Sequence, residues 1–318
     1  MPLETLGVHH VTAIAGDAQA NLDFYAGVLG LRLVKRTVNF DDPATYHFYF
    51  GDAIGHPGSL LTFFPWAGIS RGRPGPGQVT RVSFSIPAAS LAWWERRLAD
   101  RGVAAVRADD RRLTFEDPDG LGLALVADDP ARTATLDGAW LGGLVPAEHV
   151  PRGLYGVTID VARAERTIEL LTEGLGFRRT GGDNTAHHLD TRAGGIGSQI
   201  EVRERPGPVT GLLGAGTVHH VAWRAPNDAE QLAWRDALQR RGLGVTPVQD
   251  RCYFHSIYFR EPGGVLYEIA TDPPGFTIDE SAAELGGTLK LPSWLESARR
   301  NIERSLPPIR LPHEARVS

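Results

Sequence analysis

The chain repeats itself, and that limits it to folds assembled from one small unit used several times. Asn21-Leu22-Asp23-Phe24-Tyr25-Ala26-Gly27-Val28-Leu29-Gly30-Leu31 reads as a helix that closes on glycine and enters a strand. Its apolar Leu22, Tyr25, Val28 and Leu29 fall at helical spacing. Thr167-Ile168-Glu169-Leu170-Leu171-Thr172-Glu173-Gly174-Leu175-Gly176-Phe177 has the same form 146 residues on. A different helix, Leu91-Ala92-Trp93-Trp94-Glu95-Arg96-Arg97-Leu98 ending at Gly102, is echoed by Leu232-Ala233-Trp234-Arg235-Asp236-Ala237-Leu238 ending at Gly242. Units one and three are alike, and so are units two and four.

Each unit reads strand, helix, then three strands, which predicts an α+β fold of four βαβββ modules. The modules span 6–66, 79–128, 153–204 and 216–272. The first two make a first half over 1–128 and the last two a second half over 153–275. Residues 129–152, with three prolines and few periodic apolar positions, read as the linker between halves. After Phe276 a polar tail runs to 318, with one helix opened at Ser293 and closed before Pro307-Pro308. The late strands are β-branched and aromatic, as in Tyr46-His47-Phe48-Tyr49-Phe50 and Ser256-Ile257-Tyr258-Phe259. Turns such as Asp117-Pro118-Asp119-Gly120 and Glu261-Pro262-Gly263-Gly264 introduce the last strand of units two and four.

Composition narrows the function classes. Hydrophobic content of 42% with 22% charged residues describes a soluble globular chain. A net charge of -5 gives no electrostatic reason to expect nucleic acid as a partner. No apolar run approaches a membrane span, and Met1-Pro2-Leu3-Glu4 lacks a basic region followed by an apolar one. Cys252 is the single cysteine, so no internal disulfide can form. The expectation is a cytoplasmic protein, with self-association left open.

Two first strands carry the same dipeptide, His9-His10 in unit one and His219-His220 in unit four. Glu268 follows His220 by 48 residues, on the apolar last strand of unit four. Two histidines and a carboxylate from three strands are the ingredients of a facial metal triad with open coordination positions. Neutral imidazoles and a carboxylate suit Fe(II), or Mn(II) as the other candidate, and leave about three positions for substrate oxygens and dioxygen. A structural zinc site would fill all four positions, usually with cysteine, and one cysteine does not serve. Strand alternation sends neighbours to opposite faces, so the residues alone leave open which histidine of each pair binds.

These features together resemble the vicinal oxygen chelate (glyoxalase/extradiol dioxygenase) superfamily. Within it, His9-His10, the Arg251-to-Tyr258 stretch and Gly263-Gly264-Val265-Leu266-Tyr267-Glu268 resemble the hydroquinone and chlorohydroquinone ring-cleaving dioxygenases. Thr37, Tyr46-His47, Gly58, Pro65 and the Trp93-Trp94 helix extend the likeness through nearly the whole chain. The resemblance implies two paired, cupped mixed β-sheets and an Fe(II)-dependent enzyme that cleaves a small para-diol aromatic with dioxygen. It picks His10, His220 and Glu268 as metal ligands. His9 and His219 then become supporting or merely packed residues. It places Arg251 and Tyr258 at the substrate end, to stabilise anionic oxygen and to relay a proton. Thr12, on the same strand face as His10, is expected as a minor wall of the substrate pocket.

The repeat allows each unit's residue at the ligand positions to be compared. First strands offer His10, Arg81, Gly156 and His220; last strands offer Thr62, Ala124, Glu201 and Glu268. A complete triad requires unit one to pair with unit four. Units two and three should form a metal-free pair, in which an Arg81–Glu201 salt bridge could occupy the old site. Two other readings remain. A glyoxalase-type lyase or isomerase, or a metal-dependent transferase, would use the same metal, but a lyase usually wants a fourth ligand where Thr62 stands. A non-catalytic binding protein would need no triad.

Overall fold

The computed structural model describes residues 3–128 and 138–311, so the expected linker and tail lie partly outside the described residues, at 129–137 and 312–318. Unit one contains β1 (Val8–Ala15), a short helix α1 (Ala18–Leu22), β2 (Arg32–Asn39), β3 (Asp42–Gly51) and β4 (Leu60–Pro65). Unit two contains β5 (Gln78–Pro87), α2 (Leu91–Asp100), β6 (Val106–Asp109), β7 (Arg112–Glu116) and β8 (Gly122–Asp128). Unit three contains β9 (Leu154–Val161), α3 (Glu165–Glu169), β10 (Arg178–Gly182), β11 (Ala186–Asp190) and β12 (Gln199–Glu204). Unit four contains β13 (Thr217–Ala225), α4 (Asp228–Arg240), β14 (Gln249–Asp250), β15 (Phe254–Arg260) and β16 (Leu266–Pro274).

Two eight-stranded mixed sheets result. One runs β14-β15-β16-β13-β1-β4-β3-β2 and joins unit four to unit one; the other runs β10-β11-β12-β9-β5-β8-β7-β6 and joins unit three to unit two. In each sheet the two first strands meet antiparallel at the centre, β1 with β13 and β5 with β9. Each last strand lies parallel to its own unit's first strand. The crossover connections for those parallel pairs are the helices and hairpins between them.

The helices follow from the apolar spacing. Trp94 and Leu98 of α2, and Trp234 and Leu238 of α4, are buried against their own units' strands. Burying side chains of this size contributes about 1.5–3 kcal/mol each. In units one and three the helix behaves differently from its pattern. After Leu22 the chain widens into a π-helical turn over Asp23–Val28, and after Glu169 into another over Leu170–Gly174. The wide turn lets adjacent Phe24 and Tyr25 both enter the core, and Tyr25 Oη donates to Asp117 Oδ2 at 2.9 Å. That bond ties unit one to the turn before β8.

The segment after β16 folds back over unit one. Buried Lys35 of β2 donates to Asp279 Oδ1 at 2.6 Å and to Glu280 Oε2. Phe276 stacks on Tyr253 at 4.9 Å between ring centres. Together with Tyr49, Phe254 and Leu285 they form a second apolar cluster. A 3-10 turn at Ser293–Ala298 and a helix at Arg299–Ser305 follow, where the sequence placed one helix. Among the described residues no helix is long and apolar enough to cross a membrane.

Candidate metal centre and its cavity

The pairing of units one and four sets His10 and His220 on neighbouring antiparallel strands and Glu268 on the strand beyond. His10 pairs with Ala222, Thr12 with His220, and Ala222 in turn with Glu268. The ligand atoms of the three residues lie within 4.8 Å of one another, and all three are buried. His10 Nε2 stands 3.3 Å from His220 Nε2. Glu268 Oε2 is 2.9 Å from His220 Nε2 and 3.4 Å from His10 Nε2. Oε2 is fully enclosed and no donor is aligned on it, while Oε1 accepts from Ser256 Oγ.

Electrostatics favour the form that binds a cation. Burial by itself would raise the Glu268 carboxyl, but His10 and His220 outweigh it and hold it well below the ordinary value. Burial lowers His220, with partial opposition from Glu268. An ionised carboxylate facing two imidazole nitrogens in a water-poor site leaves a negative charge without a matching cation. A divalent ion satisfies all three donors at once, so the residues fit a metal.

His9 and His219 are where strand alternation misleads. The β1–β13 register slips between Val8 and His10, leaving His9 as an extra residue; it slips again between Thr12 and Ala13, leaving His219 extra on the partner strand. A bulge re-aims its side chain. His9 Nδ1 thus meets His10 Nδ1 at 2.9 Å, and His219 Nδ1 meets His220 Nδ1 at 2.8 Å. Both imidazoles are shifted down chiefly by burial, His219 to about 3. Each bulged imidazole thus sits against the outer nitrogen of its inner neighbour.

The inner pair opens on a cavity of about 560 Å3. Phe40, Phe64, Trp66, Tyr49 and Phe254 supply aromatic walls, and Arg251 and Tyr258 line the same space. Tyr258 pairs with Glu268 in register, and its ring meets the His220 ring edge-on at 5.8 Å. Arg251 Nε donates to Tyr258 Oη at 3.2 Å, and its Nη1 reaches Asp41 at 3.3 Å. Burial, reinforced by Glu268, raises the Tyr258 phenol well above its ordinary value. Cys252, next to Arg251, takes a left-handed φ of 67°, which turns the chain between β14 and β15. Its thiol is pushed up to about 11, mainly by burial, which makes it a poor nucleophile.

Thr12 lies deeper. It is fully buried, and its Oγ1 is 2.8 Å from Thr62 Oγ1, which lies 2.9 Å from His47 Nε2. Thr12 therefore reaches the cavity through Thr62 and His47. His47 and Tyr49 line this cavity and Ser256 bonds Glu268, none of them assigned to the site from the sequence, although His47 carries part of the family likeness. The signal was present: His47 and Tyr49 share one face of β3, and Ser256 shares the Tyr258 face of β15. The expected Arg81–Glu201 salt bridge does not form. Glu201 Oε2 instead accepts from Thr158 Oγ1 at 2.8 Å, and Arg81 Nε is buried without a hydrogen-bond partner.

The same chain matches the model of the Glyoxalase/Bleomycin resistance protein/Dioxygenase superfamily over residues 7–125 and 155–269. The chain belongs to this superfamily. It is 45% identical to "Putative ring-cleaving dioxygenase MhqO" of Bacillus subtilis, over 99% of both chains. It is 35% identical to "Chlorohydroquinone/hydroquinone 1,2-dioxygenase" of Sphingobium indicum, over 96% of this chain and 97% of the relative. A crystal structure of a Bacillus subtilis protein titled a putative dioxygenase superposes with a TM-score of 0.91 at 44% identity, covering 97% of this chain and 99% of that one. The two cupped sheets are thus the superfamily's vicinal oxygen chelate fold.

Proposed function

We propose that the chain is a ring-cleaving dioxygenase of extradiol type, acting on a hydroquinone-type (para-diol) aromatic with a ferrous ion held by His10, His220 and Glu268. Mn(II) is the other ion the same donors suit. The observation that carries the reading is the convergence of three metal donors at one point, two of which, His10 and His220, line an aromatic-walled cavity together with Tyr258 and Arg251. The names of full-length relatives supply the reaction class and the substrate class.

A bound ferrous ion supplies Lewis acidity toward a phenolic oxygen and redox access to dioxygen, at positions three protein ligands leave open. The protein's residues do the rest. For His10 and His220 to turn lone pairs inward from Nε2, each Nδ1–H must donate to its bulged neighbour, His9 or His219. Phe64, Trp66 and Phe254 offer flat apolar surface to a single ring, and the cavity falls within the range of small-molecule sites. Tyr258 stays protonated, so its hydroxyl can donate to a substrate oxygen or pass it a proton. Arg251 braces that hydroxyl and offers positive charge to an anionic oxygen. Thr62, bonded to Thr12 and His47, occupies the place a glyoxalase-type fourth ligand would need.

The test is to load the apoprotein anaerobically with Fe(II) and add methylhydroquinone or chlorohydroquinone. Dioxygen uptake should match ring-opened product and vanish in His220→Ala. Tight metal binding with no uptake across hydroquinones and catechols would replace this reading with lyase or transferase chemistry.

A further inference from the structure

The second sheet has its own cup, and beside it two guanidinium Nε atoms have no partner among the described residues. Ser83, Arg112, Tyr155, Gly156, Thr158 and Glu201 help line a cavity of about 240 Å3. Arg81 lies opposite Thr158 on the central strands, two residues from Ser83 and therefore on the same face of β5. The Nε atoms of Arg81 and Arg112 are both buried without a hydrogen-bond partner. Neighbouring Arg203 shows the satisfied alternative: Asp160 clamps its guanidinium at 2.7 and 3.2 Å. Glu201 is the one carboxylate among the lining residues, and Thr158 engages it instead of either arginine.

Burial and the guanidinium of Arg203 pull Arg81 below the ordinary arginine value; Glu201 opposes this and Arg112 adds to it. Holding like charges together with buried donors unmet is unfavourable unless an anion completes the set. We propose that the second cup binds a small monocarboxylate, gripped by the guanidinium fork of Arg112 on the cavity wall, with the charge of Arg81 behind it. A planar fork matches the two carboxylate oxygens, and the Thr158 hydroxyl stands beside them. Two guanidiniums against Glu201 leave one net positive charge, which matches a single carboxylate and disfavours doubly charged phosphate. The volume equals about eight waters, enough for an acid of a few carbons and too small for a nucleotide. The site stands apart from the metal centre and does not depend on the reaction assigned there.

Calorimetric titration of the metal-loaded full chain with butyrate tests this, with inorganic phosphate as the competing anion. Saturable binding of one butyrate per chain is expected, weakened about tenfold or more in Arg112→Gln and in Arg81→Gln, as for loss of a charge-assisted pair. Arg112→Lys should also weaken it, because the fork is lost while the charge stays. His220→Ala should leave it intact, which separates this cup from the metal centre. If an arginine variant does not fold, hydrogen exchange on the unaltered protein serves instead. Butyrate should then protect 199–204 and leave 266–274 unchanged. The proposal fails if butyrate does not bind by concentrations on the order of 10 mM. It also fails if affinity survives both glutamine variants, falls with His220→Ala, or is higher for phosphate.

Discussion

Where the first sheet sets His220 opposite Thr12, the second sets Arg81 opposite Thr158. Where the first pairs Ala222 with Glu268, the second pairs Ser83 with Ala124. Where the first has His10, the second has Gly156. One backbone plan thus carries a candidate cation site in one copy and an excess of guanidinium in the other. Gly156 explains why the second copy cannot simply regain its histidine: a Cβ built there would lie 1.7 Å from the Gln199 carbonyl oxygen. The sheets diverged in backbone approach as well as in side chains. Identical topology says little about chemistry until register positions are read one by one.

Matched substitutions should break the two cups unequally. His220→Ala or Glu268→Gln should weaken Fe(II) binding by at least about 100-fold and abolish turnover, read by metal content and oxygen uptake. Glu201→Gln in the other cup should change neither. Next in size, Gly156→His should destabilise the fold by about 3 kcal/mol or more in urea unfolding, because backbone must move, and should add no second metal. Tyr258→Phe should lower kcat by about 100-fold while metal content stays at the unaltered level.

The smallest effect is acid sensitivity without metal. His9, His47, His219 and His220 are all held below the ordinary 6.5, with burial the main cause. The unfolded chain therefore takes up protons first. Stability should be full above pH 6.5 and decline as pH falls from there toward the folded values. Glu268, lowered from 4.5, adds a further loss below that pH. Urea midpoints against pH would register this, and metal loading should move the onset to lower pH by holding the imidazoles neutral.

Much of this division was legible in the sequence. The repeat gave the four units, and the distribution of His10, Arg81, Gly156 and His220 required unit one to pair with unit four. Three features were not legible. The bulges at His9 and His219 have no marker such as glycine, so alternation pointed their side chains the wrong way. The π-helical turns after Leu22 and Glu169 keep ordinary helical spacing in the sequence. The Arg81–Glu201 pair looked plausible because both hold ligand positions. Yet Thr158 lies directly opposite Glu201 in the β9–β12 register and takes the carboxylate.

The proposed function requires one metal per chain, held between the first and fourth units. Anomalous diffraction at the iron edge from Fe(II)-loaded crystals tests it most directly. A single peak is expected among His10 Nε2, His220 Nε2 and Glu268 Oε2, and none beside Glu201. A peak in the second cup, or none at the triad, would contradict it.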